Sequence, residues 1–150
     1  MSPSLFYLLI LHACSEEISA PTGDIIRFSM PEDGSIPYIS IDEIKEAFDN
    51  KEPFLFLDAR PTVDYNLRHI QGAYSVPFYE VEHHESKFPT DTWYISYCAC
   101  PHAESGIVAE YFLEAGHETI GILDEGYLLW EERDYPTETG PDETYISPQD

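Results

Sequence analysis

The stretch that decides the fold is Trp93-Tyr94-Ile95-Ser96-Tyr97-Cys98-Ala99-Cys100-Pro101-His102-Ala103-Glu104-Ser105-Gly106. Its first half is apolar and predicts a buried strand, 93–98, that ends on a cysteine. We expect the loop that follows to lead into a helix from about Ser105 to Ala115. A cysteine at this position faces loop amides and the positive end of the helix dipole, and both favour thiolate over thiol. The stretch therefore predicts a nucleophilic cysteine.

Strand and helix patterns alternate on both sides of this stretch. Ser40 and Glu43 form a capping box for a helix that Pro53 ends, and the apolar run 54–58 is typical of a buried parallel strand. Further strands are predicted over 73–76 and 119–123, and further helices over 61–67, 78–84 and 126–133. In the 105–115 helix we expect the core-facing residues to be Ile107, Val108, Tyr111 and Phe112. This alternation predicts an α/β fold, a central parallel sheet flanked by helices.

Composition narrows the class of protein. A chain of 150 residues with 43% hydrophobic residues is long enough for one globular domain with a single core. It carries 29 acidic residues against 7 basic ones, a formal net charge of −22. Such a surface repels nucleic acid and anionic lipid, so we expect neither as a partner. The acidity fits solubility or a salty medium, and the alternative is selection of a cationic partner.

The amino terminus contains an unbroken apolar run, Leu5 to Leu11, which is too short to span a bilayer but suits the core of a signal peptide. The sequence Leu11-His12-Ala13-Cys14 resembles the lipobox of bacterial lipoproteins. That resemblance implies lipidation of Cys14 and an extracytoplasmic location in a bacterial cell envelope, with membrane contact only through the lipid. The run lacks a preceding Lys or Arg, and the alternative is a buried terminal element with a chance cysteine.

The chain divides into four segments on these criteria. We predict a signal peptide over 1–13, a tether over 14–36, the folded domain over 37–138 and an acidic tail over 139–150. The tether is rich in Ser, Pro, Gly and acid, with one apolar patch at Ile25-Ile26-Arg27-Phe28 that could form a strand.

From about Tyr38 to Glu138 the chain resembles the rhodanese-like domain family. The matching motifs are Leu57-Asp58-Ala59-Arg60, His69-Ile70-Gln71-Gly72-Ala73, Tyr97-Cys98, Glu114-Ala115-Gly116-His117 and Leu123-Asp124-Glu125-Gly126. The resemblance implies a three-layer fold and a sulfurtransferase activity with Cys98 as the catalytic residue, carrying sulfur as a persulfide. It implies a small sulfur donor or a protein persulfide, a thiol acceptor, no cofactor and a monomer.

The loop after the cysteine departs from the family pattern. Its residues, as candidate substrate-binding positions, are Ala99, Cys100, Pro101, His102, Ala103, Glu104 and Ser105. Typical rhodaneses carry an arginine where Ala103 stands, followed by a serine, whereas Ser105 falls one place later. A longer loop is similar to that of cell-cycle phosphatases of this fold, which carry arginine where Glu104 stands. A carboxylate there repels phosphate and thiosulfate, so we expect no phosphatase activity and favour a neutral or protein-bound sulfur donor.

Two further loop residues carry reactive groups. His102 is a candidate partner for the Cys98 thiolate, and Cys100 could attack a Cys98 persulfide or close a disulfide with Cys98. The alternatives are that Cys100 only packs and that His102 is solvated. A redox pair, or a metal site that adds His83 and His84 to these ligands, stays open, as does a non-catalytic binding module.

Asp58 and Arg60 lie at the predicted carboxyl end of the 54–58 strand. Ligands of open α/β sheets bind at the carboxyl ends of strands, where Cys98 also belongs. We interpret Asp58 and Arg60 as an ion pair that supports the loops, and direct contact with substrate is the alternative.

Overall fold

The computed structural model describes residues 17–23, 25–99 and 102–141. Its central sheet has five parallel strands in the order β1-β6-β5-β2-β4, and a second sheet pairs β3 with β7 antiparallel. The strands are β1 (Tyr38–Ile39), β2 (Phe54–Asp58), β3 (His69–Ile70), β4 (Tyr74–Ser75), β5 (Trp93–Tyr97), β6 (Ile120–Leu123) and β7 (Thr137–Glu138). The predicted α/β fold with a central parallel sheet is confirmed.

Helices cover both faces of the sheet. They are α1 (Ile41–Asp49), α2 (Thr62–Leu67), α3 (Val81–His84), α4 (Ala103–Glu114) and α5 (Tyr127–Glu132), with a 3-10 turn at Glu85–Lys87. Core residues of α1, α2 and α5 pack in one cluster, and those of α3 and α4 pack in another. The central strands β5 and β6 are buried along their whole length, because helices cover both of their sides.

Side chains of β5 alternate between these two faces. Ile95 and Tyr97 belong to the α1–α2–α5 cluster, whereas Tyr94 and Cys98 belong to the α3–α4 cluster. This alternation is the two-residue period of a strand. It decides that the cysteine after β5 faces α4.

The first helix begins as predicted and ends earlier. Ser40 is the N-cap of α1, and its hydroxyl accepts a hydrogen bond from the Glu43 amide at 3.3 Å. The helix stops at Asp49, and Lys51 has a φ of 55°. The predicted stop at Pro53 is therefore late, because the chain already reverses through a left-handed residue.

The boundaries and buried face of α4 differ from the prediction. The helix begins at Ala103, two residues early, and its buried residues are Ser105, Val108, Ala109 and Phe112. These four positions follow the helical spacing i, i+3, i+4 and i+7. Ile107 is 46% exposed, because it lies about 100° around the helix from Val108.

Part of the predicted tether is packed against the domain, which corrects that expectation. Within the described residues of 17–36 there is no strand. Phe28 is nevertheless buried, with its ring centroid 5.5 Å from that of Phe54 and 5.6 Å from that of Trp93. Arg27 pairs with Glu52 at 2.7 Å. Phe28 fills a gap in the core, so its segment is fixed without joining the sheet.

Several predicted features fall outside the described residues. They include the signal peptide with Cys14, Cys100, Pro101 and nearly all of the acidic tail. Within the described part of the chain, no helix is long and apolar enough to cross a membrane.

Buried histidines were not predicted. His84 is 1% exposed, and neither ring nitrogen has a hydrogen-bond partner in the described structure, although Nε2 lies 3.9 Å from Glu80. Burial, followed by the nearby charge of Lys87, lowers the pKa of His84. The adjacent His83 is exposed, so the two neighbouring histidines lie in different environments.

Replacement of Phe28 by alanine tests whether the 25–30 segment belongs to the core. We expect Phe28→Ala to lower the free energy of unfolding by about 3 kcal/mol, since a buried aromatic ring is removed. Ile25→Ala is the matched control, because Ile25 is 74% exposed, and its effect should stay within about 0.5 kcal/mol. Urea denaturation measures both. Equal effects of the two variants would contradict the packing of Phe28.

The lowered pKa of His84 predicts acid sensitivity. The unfolded chain binds a proton at His84 more readily than the folded chain, so this group destabilises the fold as pH falls below the ordinary histidine pKa of about 6.5. His84→Leu should therefore lose less stability than the wild type between about pH 7.5 and 5.5. His83→Gln is the control and should follow the wild type. An unchanged pH slope in His84→Leu would refute this.

Candidate active site

Cys98 directly follows β5, the central strand of the sheet, as the sequence predicts to within one residue. It is 3% exposed and packs in the α3–α4 cluster. Its Sγ lies 3.4 Å from Oγ of Ser105, which is in the first turn of α4. The sulfur is thus at the carboxyl edge of the sheet and near the amino-terminal end of a helix, but it is more enclosed than a surface thiol.

Ser105 is held in place by the same strand. The Ser96 hydroxyl donates to the Ser105 carbonyl oxygen at 3.1 Å, and Ser105 is 1% exposed. In the thiol form, the Cys98 S–H donates to the Ser105 oxygen. If the thiol ionises, the Ser105 hydroxyl can instead donate to the sulfur, since a hydroxyl acts in both directions.

The turn between β6 and α5 fixes the start of the cysteine loop. The Tyr127 amide donates to the Cys98 carbonyl at 2.8 Å, and the Leu128 amide donates to the Ala99 carbonyl at 3.3 Å. Gly126 has a φ of 77°, and a Cβ there would lie 3.1 Å from the Cys98 oxygen and 3.0 Å from the Ala99 oxygen. Glycine is needed because of both the backbone angle and the close approach.

His102 contacts the turn between β6 and α5. Its Nε2 lies 2.8 Å from Asp124 Oδ1 and 3.0 Å from the Asp124 carbonyl oxygen. Its ring packs on Tyr38, with 4.1 Å between the ring centroids. The structure therefore gives Nε2 a partner on the β6–α5 turn, whereas the sequence suggested the Cys98 thiolate.

The helix start contributes negative charge to the site. Ala103 is exposed and Glu104 is half-buried at the first turn of α4. Burial, and then the carboxylates of Asp58 and Asp64, raise the pKa of Glu104. Ala103 stands at the position of the rhodanese arginine and Glu104 at that of the phosphatase arginine, so neither position carries a cation.

Asp58 and Arg60 form a buried pair. The Arg60 Nη2 lies 2.6 Å from Asp58 Oδ2, and Nε lies 2.9 Å from Oδ1. Burial raises the pKa of Asp58 and the Arg60 guanidinium opposes that rise, while the same pairing raises the pKa of Arg60 against its own burial. Arg60 also donates to the Arg68 carbonyl and covers the Tyr127 ring at 3.8 Å.

This pair lies on the other face of the sheet from Cys98. The Tyr97 hydroxyl donates to Asp58 at 2.8 Å and accepts from the Ile70 amide at 3.1 Å. Tyr97 belongs to the α1–α2–α5 cluster, and Cys98 to the opposite one. Arg60 is 5% exposed and engaged, so this geometry supports the structural interpretation of the pair.

A groove of about 290 Å³ adjoins the cysteine loop. Its edges include two large exposed apolar side chains, Leu67 and Leu128. The lining residues are Arg60, Asp64, Leu67, Arg68, Ala99, Tyr127, Leu128 and Glu131. The groove adjoins Ala99, and its lining carries charges of both signs.

The metal site suggested from the sequence is not assembled by the residues that the structure describes. Among residues 17–23, 25–99 and 102–141, no three His, Cys, Asp or Glu side chains gather as metal ligands. Cys100, the remaining proposed ligand, lies outside these ranges. His83 is exposed and His84 is buried, so the two rings do not share one environment.

The sequence analysis did not identify the roles of three residues around the site. Tyr97 binds Asp58, Ser96 holds Ser105, and Asp124 holds His102. Asp124 directly follows β6 at the carboxyl edge of the sheet, which is a signal that sequence reasoning could have used. Ser96 and Tyr97 looked like ordinary members of an apolar strand.

Comparison with known proteins identifies the fold family. A family model for the rhodanese-like domain matches residues 40–133. No curated protein matches the chain.

Solved structures agree with this assignment. The crystal structure of the Alr3790 protein from Anabaena sp. is 26% identical, with a TM-score of 0.61 over 67% of this chain and 80% of that chain. The BH2092 protein of Bacillus halodurans is 21% identical, with a TM-score of 0.63 over 69% of this chain and 77% of that chain. A thiosulfate sulfurtransferase from Pseudomonas aeruginosa is 24% identical, with a TM-score of 0.58 over 75% of this chain and 22% of that chain. With the strand order, the motifs and the family match in agreement, the chain belongs to the rhodanese-like domain family.

Proposed function

We propose that this protein transfers sulfane sulfur through a persulfide on Cys98. The observation that carries the proposal is the position of Sγ at the end of β5, 3.4 Å from the Ser105 hydroxyl in the first turn of α4. The helix start and this hydroxyl both favour a negatively charged sulfur. A terminal persulfide carries its charge on the outer sulfur and benefits from the same groups.

The transfer has two balanced steps. The Cys98 thiolate attacks the outer sulfur of a donor hydropersulfide, so a new S–S bond forms while the donor's S–S bond breaks. The leaving thiolate takes the hydropersulfide proton, which leaves Cys98 as an anionic persulfide. After protonation of that persulfide, an acceptor thiolate attacks its outer sulfur, and Cys98 departs as thiolate. No cofactor is needed in either step.

The charge around the loop favours a persulfide over thiosulfate as donor. Glu104 occupies the first turn of α4, and burial, followed by the Asp58 and Asp64 carboxylates, raises its pKa. Arg60, the nearby cation, is paired with Asp58. A dianionic donor would add repulsion, whereas a neutral or protein-bound persulfide adds less.

Mass spectrometry tests the persulfide. After reduction, the protein is incubated separately with a low-molecular-weight hydropersulfide and with thiosulfate. We expect a gain of about 32 mass units on the peptide that contains Cys98, faster with the hydropersulfide. Cys98→Ser should abolish the gain at this position, and Cys100→Ser, the matched control, should retain it.

A second candidate is a non-catalytic binding module, and the 3% exposure of Cys98 favours it. In that case no donor loads Cys98, and its alkylation at neutral pH is no faster than that of a small unactivated thiol. Absence of the mass gain together with that slow alkylation would overturn the sulfurtransferase proposal. The groove beside Ala99 would then be the binding surface to examine.

We further propose that the protein is anchored in a bacterial cell envelope by a lipid on Cys14. The support is the apolar run 5–11 followed by Ala13 and Cys14. In a bacterial host, the full chain should fractionate with membranes, and Cys14→Ser should shift it to the soluble fraction, because one cysteine carries the lipid. Quantitative immunoblotting measures the shift. Equal distribution of both forms would contradict the anchor.

A further inference from the structure

Ser96 lies on the same face of β5 as the cysteine that follows the strand. Tyr94 and Cys98 belong to the α3–α4 cluster, and Ser96 stands midway between them in the two-residue period of the strand. It is fully buried, and its neighbours in register are Leu57 of β2 and Ile122 of β6, both members of that cluster. A hydroxyl group is thus placed among apolar side chains in the central strand of the sheet.

The hydrogen bond that Ser96 makes is not one that the helix backbone requires. Burial of a hydroxyl is costly unless it is hydrogen-bonded, and Ser96 donates to the Ser105 carbonyl oxygen at 3.1 Å. In a regular helix that carbonyl already accepts from the amide four residues later, and its second lone pair is free to accept from Ser96. The Ser96 bond is therefore additional, and it fastens the first turn of α4 to β5.

Ser105 makes two contacts with this part of the sheet, through two different groups. Its carbonyl accepts from Ser96, and its hydroxyl lies 3.4 Å from Sγ of Cys98. Positions 96 and 98 are about 6.6 Å apart along an extended chain, and Ser105 is 1% exposed between them and the helix. The first contact therefore fixes the residue whose hydroxyl makes the second.

We propose that Ser96 is a positioning residue that, through Ser105, favours the thiolate form of Cys98. A hydroxyl that donates to an anion makes a stronger bond than one between neutral groups, so a correctly placed Ser105 hydroxyl favours thiolate over thiol. Without the Ser96 bond, the first turn of α4 can shift away from the sulfur, and this preference weakens. The role rests on the proposed function in that Cys98 is taken as the reacting residue.

The pH dependence of alkylation tests this role without requiring sulfur transfer. The folded full chain is treated with iodoacetamide at about pH 7 and at about pH 10, and fragment-ion mapping follows Cys98 separately from the other cysteines. The ratio of the two rates reports the thiolate fraction at neutral pH, because a change in exposure alters both rates alike. We expect Ser96→Ala to lower this ratio about fivefold, since one hydrogen bond that favours the anion is lost.

A double variant separates this role from a general effect on packing. Ser105→Ala removes the hydroxyl that contacts Cys98 and retains the carbonyl that binds Ser96, so the ratio should fall by a similar factor. Addition of Ser96→Ala to Ser105→Ala should then leave the ratio unchanged, because both substitutions act through one contact to the sulfur.

Matched variants control for folding. Ser75→Ala removes another buried serine of the sheet, whose hydroxyl has no hydrogen-bond partner among the described residues, and should keep the wild-type ratio. If Ser96→Ala does not fold, Ser96→Thr and Ser96→Val replace it, since the two new side chains match in shape and only threonine has a hydroxyl. Ser96→Thr should keep the ratio, and Ser96→Val should lower it. Circular dichroism at both pH values checks that each variant is folded.

Three outcomes would overturn the proposal: a wild-type ratio in Ser96→Ala, an equal fall in Ser75→Ala, or a double variant whose decrease is the product of the single decreases. Sulfur loading of Cys98 together with an unchanged ratio in Ser96→Ala would refute the role of Ser96 alone. A lowered ratio in Ser96→Ala without sulfur loading from any donor would refute the sulfurtransferase proposal alone. The positioning role and the sulfur transfer are therefore tested separately.

Discussion

The carboxylate of Asp58 is completely buried at the end of β2, where the side chains of Arg60 and Tyr97 contact it. A buried carboxylate is costly unless it is paired and hydrogen-bonded. Arg60 supplies the charge at 2.6 Å and Tyr97 supplies a hydroxyl at 2.8 Å. The Tyr97 hydroxyl also accepts from the Ile70 amide, so β2, β3 and β5 meet at one polar network. Since Tyr97 precedes Cys98, the network fixes the strand end from which the cysteine loop departs.

The Asp58 network and the Cys98 sulfur lie on opposite faces of the sheet. Tyr97 points to the face that holds the Asp58 network, and Cys98 points to the face covered by α4. The network can therefore hold the backbone of the loop without touching the sulfur. On the α4 face, Ser96 and Ser105 provide the local polar contacts. In the proposed sulfur transfer, Cys98 relies on this second set of contacts.

Acidic residues surround the cysteine loop of this chain. Glu104 stands in the first turn of α4, where burial and then neighbouring carboxylates raise its pKa. Asp124, another acidic residue at the sheet edge, is used to hold His102. An overall charge of −22 adds to this local field. The proposal of a persulfide donor rests on this negative charge, which would repel a dianionic donor.

The sequence by itself determined the α/β class, the buried strands, the Ser40 cap and the place of Cys98 at a strand end, because these follow from short-range pattern and spacing. It did not determine which face of α4 is buried: the structure buries Ala109 and exposes Ile107. It also did not determine the burial of Phe28 and His84. Nor did it pair His102 with Asp124, which lie 22 positions apart along the chain. Only the tertiary structure decided these features, because each depends on which distant segment fills the space beside a side chain.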